Sequence, residues 1–349
     1  MKRIGIVTLY GFINYGNRLQ NYALNKVLVS NNYSVRNLCD TNRFDVIKKH
    51  IKILLLPVLS GQRKNNIRRL ARFMEFQKNM KSECYSDEKN YDDYDFFITG
   101  SDQVWHPQWA AGDFYFLSFV RPEKRISYSA SFGVSIISDD KKDEFRKHLS
   151  EMKTISVREE SGAEIVKALT GRDVPVLVDP TLLLDKNEWK KISQKPKIEI
   201  KGKYILTYFL GEVSEERNAY IQQIADNNNL EIIRLEQYCR TEAWYKTGPA
   251  EFLWLIEHCF LMCTDSFHGS VFSILMEVPF LVFDRKDEFG DMSSRIDTLL
   301  TKFHLESHKF NNQSETTAFQ KNYEHVHEIL LVERKKALDY LNKALNYSN

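Results

Sequence analysis

The chain has 349 residues, of which 43% are hydrophobic, and its 49 Lys and Arg balance 47 Asp and Glu to a formal net charge of +2. This length and composition are typical of a globular protein with two domains, without the signature of a disordered or fibrous chain, and the charge indicates no nucleic-acid partner. The five cysteines form no CxxC pair, so the sequence favours reduced thiols and a cytoplasmic location over a disulfide framework or a zinc site: Cys39, Cys84, Cys239, Cys259 and Cys263.

The N-terminal run Ile4–Leu9 is nearly all apolar, as in a parallel strand that is covered on both faces. We interpret it as the first strand and not as a signal peptide, and no window reaches the ~18 apolar residues of a membrane span. Helical spacing follows from Leu19 to Leu28, so Gly16 and Asn17 are expected at a helix N-terminus, where nucleotide-binding folds place their ligand. The GxGxxG spacing is absent, so a dinucleotide cofactor is not indicated.

A basic stretch follows the predicted second strand, Tyr33–Leu38. Between residues 43 and 81 it holds eleven Lys or Arg against two acids, with the apolar run Ile51–Leu59 inside it. The favoured interpretation is a helical insertion that packs on the core and keeps a solvated basic face. The alternative is peripheral contact with an anionic membrane surface, the inner face of the cell membrane.

Polar residues follow two further predicted strands of the first half. The strand Tyr94–Thr99 runs into Gly100, Ser101 and Asp102, which would bring a carboxylate to the carboxyl edge of the sheet. Asp102 is therefore a candidate catalytic residue, although a helix N-cap is an equal alternative. After the strand Ile126–Ala130, the strand Thr154–Val157 ends at Arg158, a side chain suited to bidentate binding of carboxylate or phosphate. The alternative for Arg158 is a salt bridge with a neighbouring glutamate.

A further strand is predicted at Val174–Val178. Pro180 and the polar run Asp185–Glu188 then mark the best domain boundary, after which the alternation of strands and helices restarts. The second half is predicted to contain strands at Tyr204–Gly211, Glu231–Leu235 and Pro279–Phe283, and helices at Glu215–Asn227 and Pro249–Glu257.

The turn Thr264–Ser270 joins an apolar strand to an amphipathic helix in this second half. A helix N-terminus with backbone N–H groups and the positive end of the helix dipole suits a phosphate or a carboxylate. His268 can exchange a proton with a ligand bound there. The alternative is an ordinary capped helix with a structural histidine.

The alternation of strands and helices predicts an α/β fold with two doubly wound Rossmann-like domains facing a central cleft. We expect domains at residues 1–185 and 200–320, with the basic and apolar insertion at about 43–81 in the first. A C-terminal helix at 321–349 is expected to pack back on the first domain.

One ordered set of motifs resembles the polysaccharide pyruvyl transferase family over roughly residues 4–300: Asn14-Tyr15-Gly16-Asn17, Gly100-Ser101-Asp102-Gln103-Val104-Trp105, Ser129-Ala130-Ser131-Phe132-Gly133, Ser156-Val157-Arg158-Glu159, Asp179-Pro180-Thr181 and Asp265-Ser266-Phe267-His268-Gly269. The resemblance implies a GT-B-like fold. It also implies transfer of the pyruvyl group of phosphoenolpyruvate to a sugar of a cell-surface polysaccharide or lipid-linked glycan precursor, with a ketal and free phosphate as products.

For that reaction the resemblance implies that His268 is the acid and Asp102 the base, or the group that steadies developing positive charge. No metal and no cofactor besides the donor phosphoenolpyruvate are implied. Binding of the substrates would fall to the other motif residues: Asn14, Gly16, Asn17, Gly100, Ser101, Arg158, Ser266, Gly269, Ser270 and Arg295. Many family members have Arg where this chain has Ser266, so Arg158 or Arg295 must replace it if phosphoenolpyruvate is the donor.

Two other functions fit the same pattern. One is a glycosyltransferase of GT-B type that uses a nucleotide sugar, and the other is a non-catalytic component of an envelope-glycan assembly complex. The expected partners are phosphoenolpyruvate and a glycan or lipid-linked sugar, and the sequence does not indicate an oligomeric state.

Overall fold

The computed structural model describes residues 1–9, 13–39, 60–80, 82–84, 91–108, 113–236, 239, 242–285, 294–310, 319 and 321–346. The chain forms two compact units. Unit 1 comprises Met1–Lys49, Gln77–Leu184 and Ile329–Asn349, and unit 2 comprises His50–Phe76 and Asp185–Glu328. None of the helices in the described ranges is long and apolar enough to cross a membrane.

The described strands are β1 Arg3–Val7, β2 Ser34–Cys39, β3 Ser82–Cys84, β4 Phe96–Thr99, β5 Arg125–Ser127, β6 Tyr204–Tyr208, β7 Glu231–Arg234, β8 Leu261–Thr264 and β9 Phe280–Val282. The described α-helices are α1 Tyr15–Ser30, α2 Ser60–Gln77, α3 Asp139–Glu151, α4 Glu160–Thr170, α5 Lys186–Ile192, α6 Glu215–Asn228, α7 Pro249–His258, α8 Phe267–Met276, α9 Ser294–Lys302 and α10 Glu324–Asn346. Short 3-10 helices lie at Tyr91–Asp93, Pro122–Lys124, Pro180–Leu183, Ala243–Lys246 and Glu306–His308.

Unit 1 is built on a parallel sheet in the order β3-β2-β1-β4-β5. All four residues of β4 are buried, as expected for a central parallel strand covered on both faces. Two predicted strands are shorter than expected. Thr154–Val157 and Val174–Val178 contribute isolated parallel bridges, Ala130 to Val157 and Val157 to Val176, which continue the sheet beyond β5.

Unit 2 is built on a second parallel sheet, in the order β7-β6-β8-β9. Every residue of β6 and β8 is buried. Ile205, Leu261 and Leu281, one from each of three neighbouring strands, pack in one hydrophobic cluster with Ile221 and Ile224 of α6. Both units therefore have the Rossmann-like α/β architecture that the alternating sequence pattern predicts.

Helix α2 lies in the segment predicted as an insertion of the first domain, yet up to Phe76 it groups with unit 2. Arg69 explains this placement, because its guanidinium is buried, donates to the carbonyl of Tyr245 at 2.7 Å, and stacks 4.7 Å from the Tyr245 ring. Arg72 also pairs with Glu251 of α7. The apolar run Ile51–Leu59 lies outside the described residues.

The C-terminal helix α10 has two sets of partners. His327, near its start, bonds Glu277 in unit 2 at 2.7 Å. Farther along, Arg334 donates to the carbonyls of Leu182 and Leu184, and Tyr340 donates to the carbonyl of Ser127 at 2.7 Å. The last turns of α10 thus cover unit 1.

Candidate functional site

Asp102 lies in a tight loop that follows β4 at the carboxyl edge of the unit 1 sheet. Gly100 has φ +108°, and a Cβ there would lie 2.4 Å from the carbonyl oxygen of Tyr128, so only glycine fits. Asp102 itself is in the left-handed region with φ +66°, a conformation that tends to occur at functional sites. Residues 101–105 form bends and a turn, so Asp102 does not cap a helix.

The carboxylate of Asp102 is held by groups from three parts of unit 1. The Asn17 side-chain amide donates to Oδ2, and the backbone N–H of Gln103 donates to Oδ1 at 3.0 Å. The guanidinium Nη2 of Arg158 is 3.6 Å from Oδ1. Asn14 caps α1 by accepting from the Asn17 N–H at 3.1 Å, which fixes the turn that carries Asn17. The side chain of Asp102 remains 11% exposed, so part of it is in contact with solvent.

Arg158 was expected to bind a substrate anion, but its side chain is only 1% exposed and lies among carboxylates. Its Nη1 bonds Asp179 at 2.9 Å and Ser101 Oγ at 3.3 Å, and its Nε lies 3.9 Å from Glu159. Burial acts to lower the pKa of Arg158, yet the three carboxylates Asp179, Asp102 and Glu159 outweigh it and raise that pKa. Arg158 therefore stays charged and positions Asp102.

Two acids in this cluster, Asp179 and Glu159, were not among the candidate site residues predicted from the sequence. Asp179 is buried and accepts from Ser101 Oγ at 2.7 Å and from Thr181 Oγ1 at 2.6 Å. Glu159 accepts from Ser131 Oγ at 2.9 Å and from the Phe132 N–H at 2.8 Å. Both belong to motifs that carry the family resemblance. The structure gives them a common task, which is to fix the loops around Asp102 and Arg158.

In unit 2 the predicted anion-binding turn is a capped helix start. Ser266 is the N-cap of α8 and accepts from the Gly269 N–H at 3.3 Å. The Ser270 hydroxyl donates back to the carbonyl of Ser266 at 3.1 Å. A Cβ on Gly269 would lie 2.6 Å from Thr264 Oγ1, so glycine lets α8 approach β8 closely. Gly269 and Ser270 therefore stabilise the conformation of this turn through contacts inside it.

His268 is the second residue of α8, at the carboxyl edge of the unit 2 sheet. It is 6% exposed, and its ring packs edge-on against Phe267 with the centroids 5.3 Å apart. The first turn of a helix carries the positive end of its dipole. An anion bound at this turn would therefore lie near the imidazole.

Arg295 lies at the start of α9 and lines a small cavity together with Arg285, Asp265 and Asp284. Asp265 accepts from the backbone N–H groups of Leu210 at 2.7 Å and Gly211 at 2.9 Å, which ties the loop after β6 to the α8 turn. Burial raises the pKa of Asp265. Arg285, which the sequence did not single out, thus brings a second guanidinium to the cavity of Arg295.

Glu236 is a further acid at this sheet edge that the sequence did not single out. It follows β7, is 1% exposed, and accepts a hydrogen bond from Thr207 Oγ1 of β6. Burial raises the pKa of Glu236 to about 7, against the opposing effects of the Thr207 hydrogen bond and of Arg234. A polar residue that follows a predicted strand is the signal that singled out Asp102, and it would also have found Glu236.

In the described part of the chain, no group of three or more His, Cys, Asp or Glu side chains is arranged to hold a metal ion. Cys239, Cys259 and Cys263 are buried free thiols there, and burial raises the pKa of each. Their sulfur atoms are therefore protonated at neutral pH.

Each of the two units has a parallel α/β sheet with ionisable side chains at its carboxyl edge, as in proteins of the two-Rossmann-domain GT-B fold class. The polysaccharide pyruvyl transferase family model matches residues 14–287. The chain therefore belongs to the polysaccharide pyruvyl transferase family and is a transferase. No protein of curated function matches the sequence.

The chain is similar to several solved structures at low sequence identity. Arabidopsis thaliana UGT89C1 complexed with UDP-L-rhamnose is 13% identical, with 99% of each chain covered and a TM-score of 0.50. A Listeria monocytogenes protein assigned as a UDP-N-acetylglucosamine 2-epimerase is 13% identical over 100% of this chain and 92% of its own, with a TM-score of 0.48. The Methanocaldococcus jannaschii UDP-GlcNAc 2-epimerase is 11% identical over 95% and 99%, with a TM-score of 0.44.

Proposed function

We propose that this protein transfers the pyruvyl group of phosphoenolpyruvate to two hydroxyls of a sugar in a cell-surface polysaccharide or a lipid-linked precursor. The observation that carries the proposal is the carboxylate of Asp102, which is held by Asn17 and by the Gln103 N–H and stays partly exposed, in a chain of this family. A fixed, solvent-accessible carboxylate is suited to accept a proton from a hydroxyl.

The reaction needs two additions to C2 of phosphoenolpyruvate. The first sugar hydroxyl bonds to C2 while C3 gains a proton and becomes a methyl group. The C2–O bond to phosphate then breaks, and the second hydroxyl bonds to C2 to close the ketal. One hydroxyl proton is thus balanced by the proton gained at C3, and the other leaves with phosphate or solvent. Asp102 is the proposed base for the hydroxyl, and His268 is the proposed acid.

The donor carries a carboxylate and a phosphate and therefore needs fixed positive charge. Arg295 and Arg285 are the proposed source, because they line one cavity with Asp265, the residue that immediately precedes Ser266. The first turn of α8 adds backbone donors and the helix dipole. Ser266, where many family members have Arg, then keeps its role as the helix cap. Arg158 has the role of a positioning residue, since its charge is engaged by three carboxylates.

Phosphate release from phosphoenolpyruvate, measured with a panel of sugar acceptors, tests the proposal. We expect His268→Ala and Asp102→Asn each to lower kcat by roughly 10²- to 10⁴-fold without lowering the thermal unfolding temperature. His258→Ala and Asp143→Asn are matched controls at exposed positions and should retain activity. Wild-type rates in both catalytic variants would remove these residues from the mechanism.

Thermal-shift titration separates this donor from a nucleotide sugar, because a ligand that binds only the folded state raises its stability. Phosphoenolpyruvate should stabilise the protein, and Arg295→Ala should reduce that shift. Stabilisation by nucleotide sugars alone would contradict the pyruvyl assignment and favour a glycosyltransferase. Unchanged biological output in both the His268→Ala and the Asp102→Asn variants would favour a non-catalytic role.

A further inference from the structure

A basic pocket lies in unit 2, away from the residues assigned to the reaction. It has a volume of about 300 Å³ and is formed by α2, by the segment after α5, and by the start of α7. Its lining is Arg68, Ala71, Arg72, Pro196, Lys197, Ile198, Lys246, Thr247 and Glu251. It shares no residue with the α8 turn or with the cavity of Arg285 and Arg295.

The charge in this pocket is unbalanced. Four cationic side chains line it, Arg68, Arg72, Lys197 and Lys246, and within this described lining there is one carboxylate, Glu251. That carboxylate is already engaged, because Glu251 pairs with Arg72 and accepts from the Gly248 N–H at 2.7 Å. Four positive charges and one negative charge leave a net charge of +3 around one cavity. Cations that share a cavity repel one another, and a bound anion relieves that repulsion.

The walls of the pocket are fixed by contacts behind them. Arg69 is buried, donates to the carbonyl of Tyr245 at 2.7 Å, and lies over the Tyr245 ring, which holds α2 against the 3-10 helix that ends in Lys246. Asn65 adds a bond to the carbonyl of Glu242 at 3.1 Å. A Cβ on Gly248 would lie 2.6 Å from the Cβ of Arg72, so the backbones approach closely there. The basic side chains are thus presented from a packed scaffold.

We propose that this pocket binds a phosphate or diphosphate group, a second anion site that is separate from the proposed reaction. Two guanidinium and two ammonium groups match the multiple oxygens and charges of such a group. Its source is either a soluble phosphate ester or a lipid headgroup. The neighbouring surface of α2 bears two exposed apolar side chains, Ile67 at 41% and Met74 at 55%, which favours a phosphate carried on a lipid.

Inorganic pyrophosphate is the first probe, titrated calorimetrically into the full-length protein at low salt. We expect Arg68→Ala/Lys246→Ala to weaken its binding at least about tenfold. Lys201→Ala/Lys335→Ala is the matched control, because it removes the same charge from exposed positions outside the pocket and should bind as the wild type does. Neither variant touches Arg69 or Arg72, so both should unfold at the wild-type temperature.

Vesicles of phosphatidylcholine, with and without phosphatidic acid, form the second arm. Loss of binding to the phosphatidic acid vesicles in the pocket variant but not in the control assigns the site to a lipid phosphate. Pyrophosphate binding without vesicle binding assigns it to a soluble phosphate ester. The proposal would be overturned if the pocket variant and the control variant lost pyrophosphate binding equally, or if the wild type did not bind pyrophosphate. The result is independent of phosphate release at the reaction site, which His268→Ala reports.

Discussion

The buried carboxyl of Glu236 gives a stability prediction that depends on pH. In the folded protein burial raises the pKa of Glu236 to about 7 from the ordinary glutamate value of 4.5. Because the folded state holds this proton more tightly than the unfolded state, folding is favoured while Glu236 is protonated, and stability falls as pH rises between these two values. With one pKa unit worth 1.36 kcal/mol, the fall amounts to roughly 2 to 3 kcal/mol between about pH 5 and about pH 9.

The perturbation is Glu236→Gln, which removes the titrating group and keeps an oxygen that can accept from Thr207 Oγ1. Urea denaturation followed by tryptophan fluorescence, over the same pH range, gives the free energy of unfolding for both proteins. We expect the variant to gain roughly 2 to 3 kcal/mol relative to the wild type as pH rises. Other groups titrate in both proteins and therefore cancel in the difference. These groups include Asp265, whose pKa is raised, and His148 and His308, whose pKa values burial lowers.

Parallel pH profiles for the two proteins would refute this reasoning. A constant difference would mean that Glu236 ionises in the folded protein as an ordinary glutamate does, and that water or a cation reaches it. A difference of the opposite sign would mean that the folded state stabilises the carboxylate.

Three further outcomes are expected. Gly269→Ala should destabilise the protein by about 1 to 3 kcal/mol in urea denaturation, because its Cβ would meet Thr264 Oγ1 at 2.6 Å, whereas Gly202→Ala, with no atom within 4 Å, should be nearly neutral. Arg158→Met should cost about 3 to 5 kcal/mol, since it leaves three carboxylates without their shared cation, and the surface substitution Arg146→Met should cost little in the same denaturation assay. In steady-state kinetics Arg295→Ala should raise KM for phosphoenolpyruvate at least about tenfold, whereas exposed Arg121→Ala should not, and an unchanged KM would separate Arg295 from the donor.

Local pattern in the sequence predicted the fold and the position of the loops that carry Asp102 and His268. A parallel strand that is covered on both faces has no polar side, so its sequence is a continuous apolar run. The apolar runs of β1, β4 and β8 fit this pattern and are strands in the structure. The same reasoning placed Asp102 and the α8 turn at the carboxyl edges of their sheets. It overestimated the strand pairing of Thr154–Val157 and Val174–Val178, which form isolated bridges and no extended strand.

Contacts between residues far apart in the chain determine the partners of Arg158 and the unit to which α2 belongs, and local sequence pattern did not predict them. The charge of Arg158 is engaged by Asp179, which is 21 residues away, as well as by its neighbour Glu159. Helix α2 follows unit 1 in the chain but joins unit 2, because Arg69 and Arg72 find partners 176 and 179 residues away. The salt bridge with Glu159 was the alternative given for Arg158, but neither the Arg158–Asp179 pair nor the contacts of Arg69 and Arg72 have a signature in spacing or periodicity. The substrate-binding residues proposed from the family resemblance stay predictions.

The return of α10 to unit 1 limits how this protein can be dissected genetically. Arg334 of this helix donates hydrogen bonds to the carbonyls of Leu182 and Leu184, and Tyr340 donates one to the carbonyl of Ser127. A fragment that ends after Leu184 would expose the surface that these turns cover, and a fragment that begins at Asp185 would carry them without their partners. Each unit is encoded by separated stretches of the gene. Isolating either one therefore calls for co-expressed fragments or a circularly permuted chain rather than a single truncation.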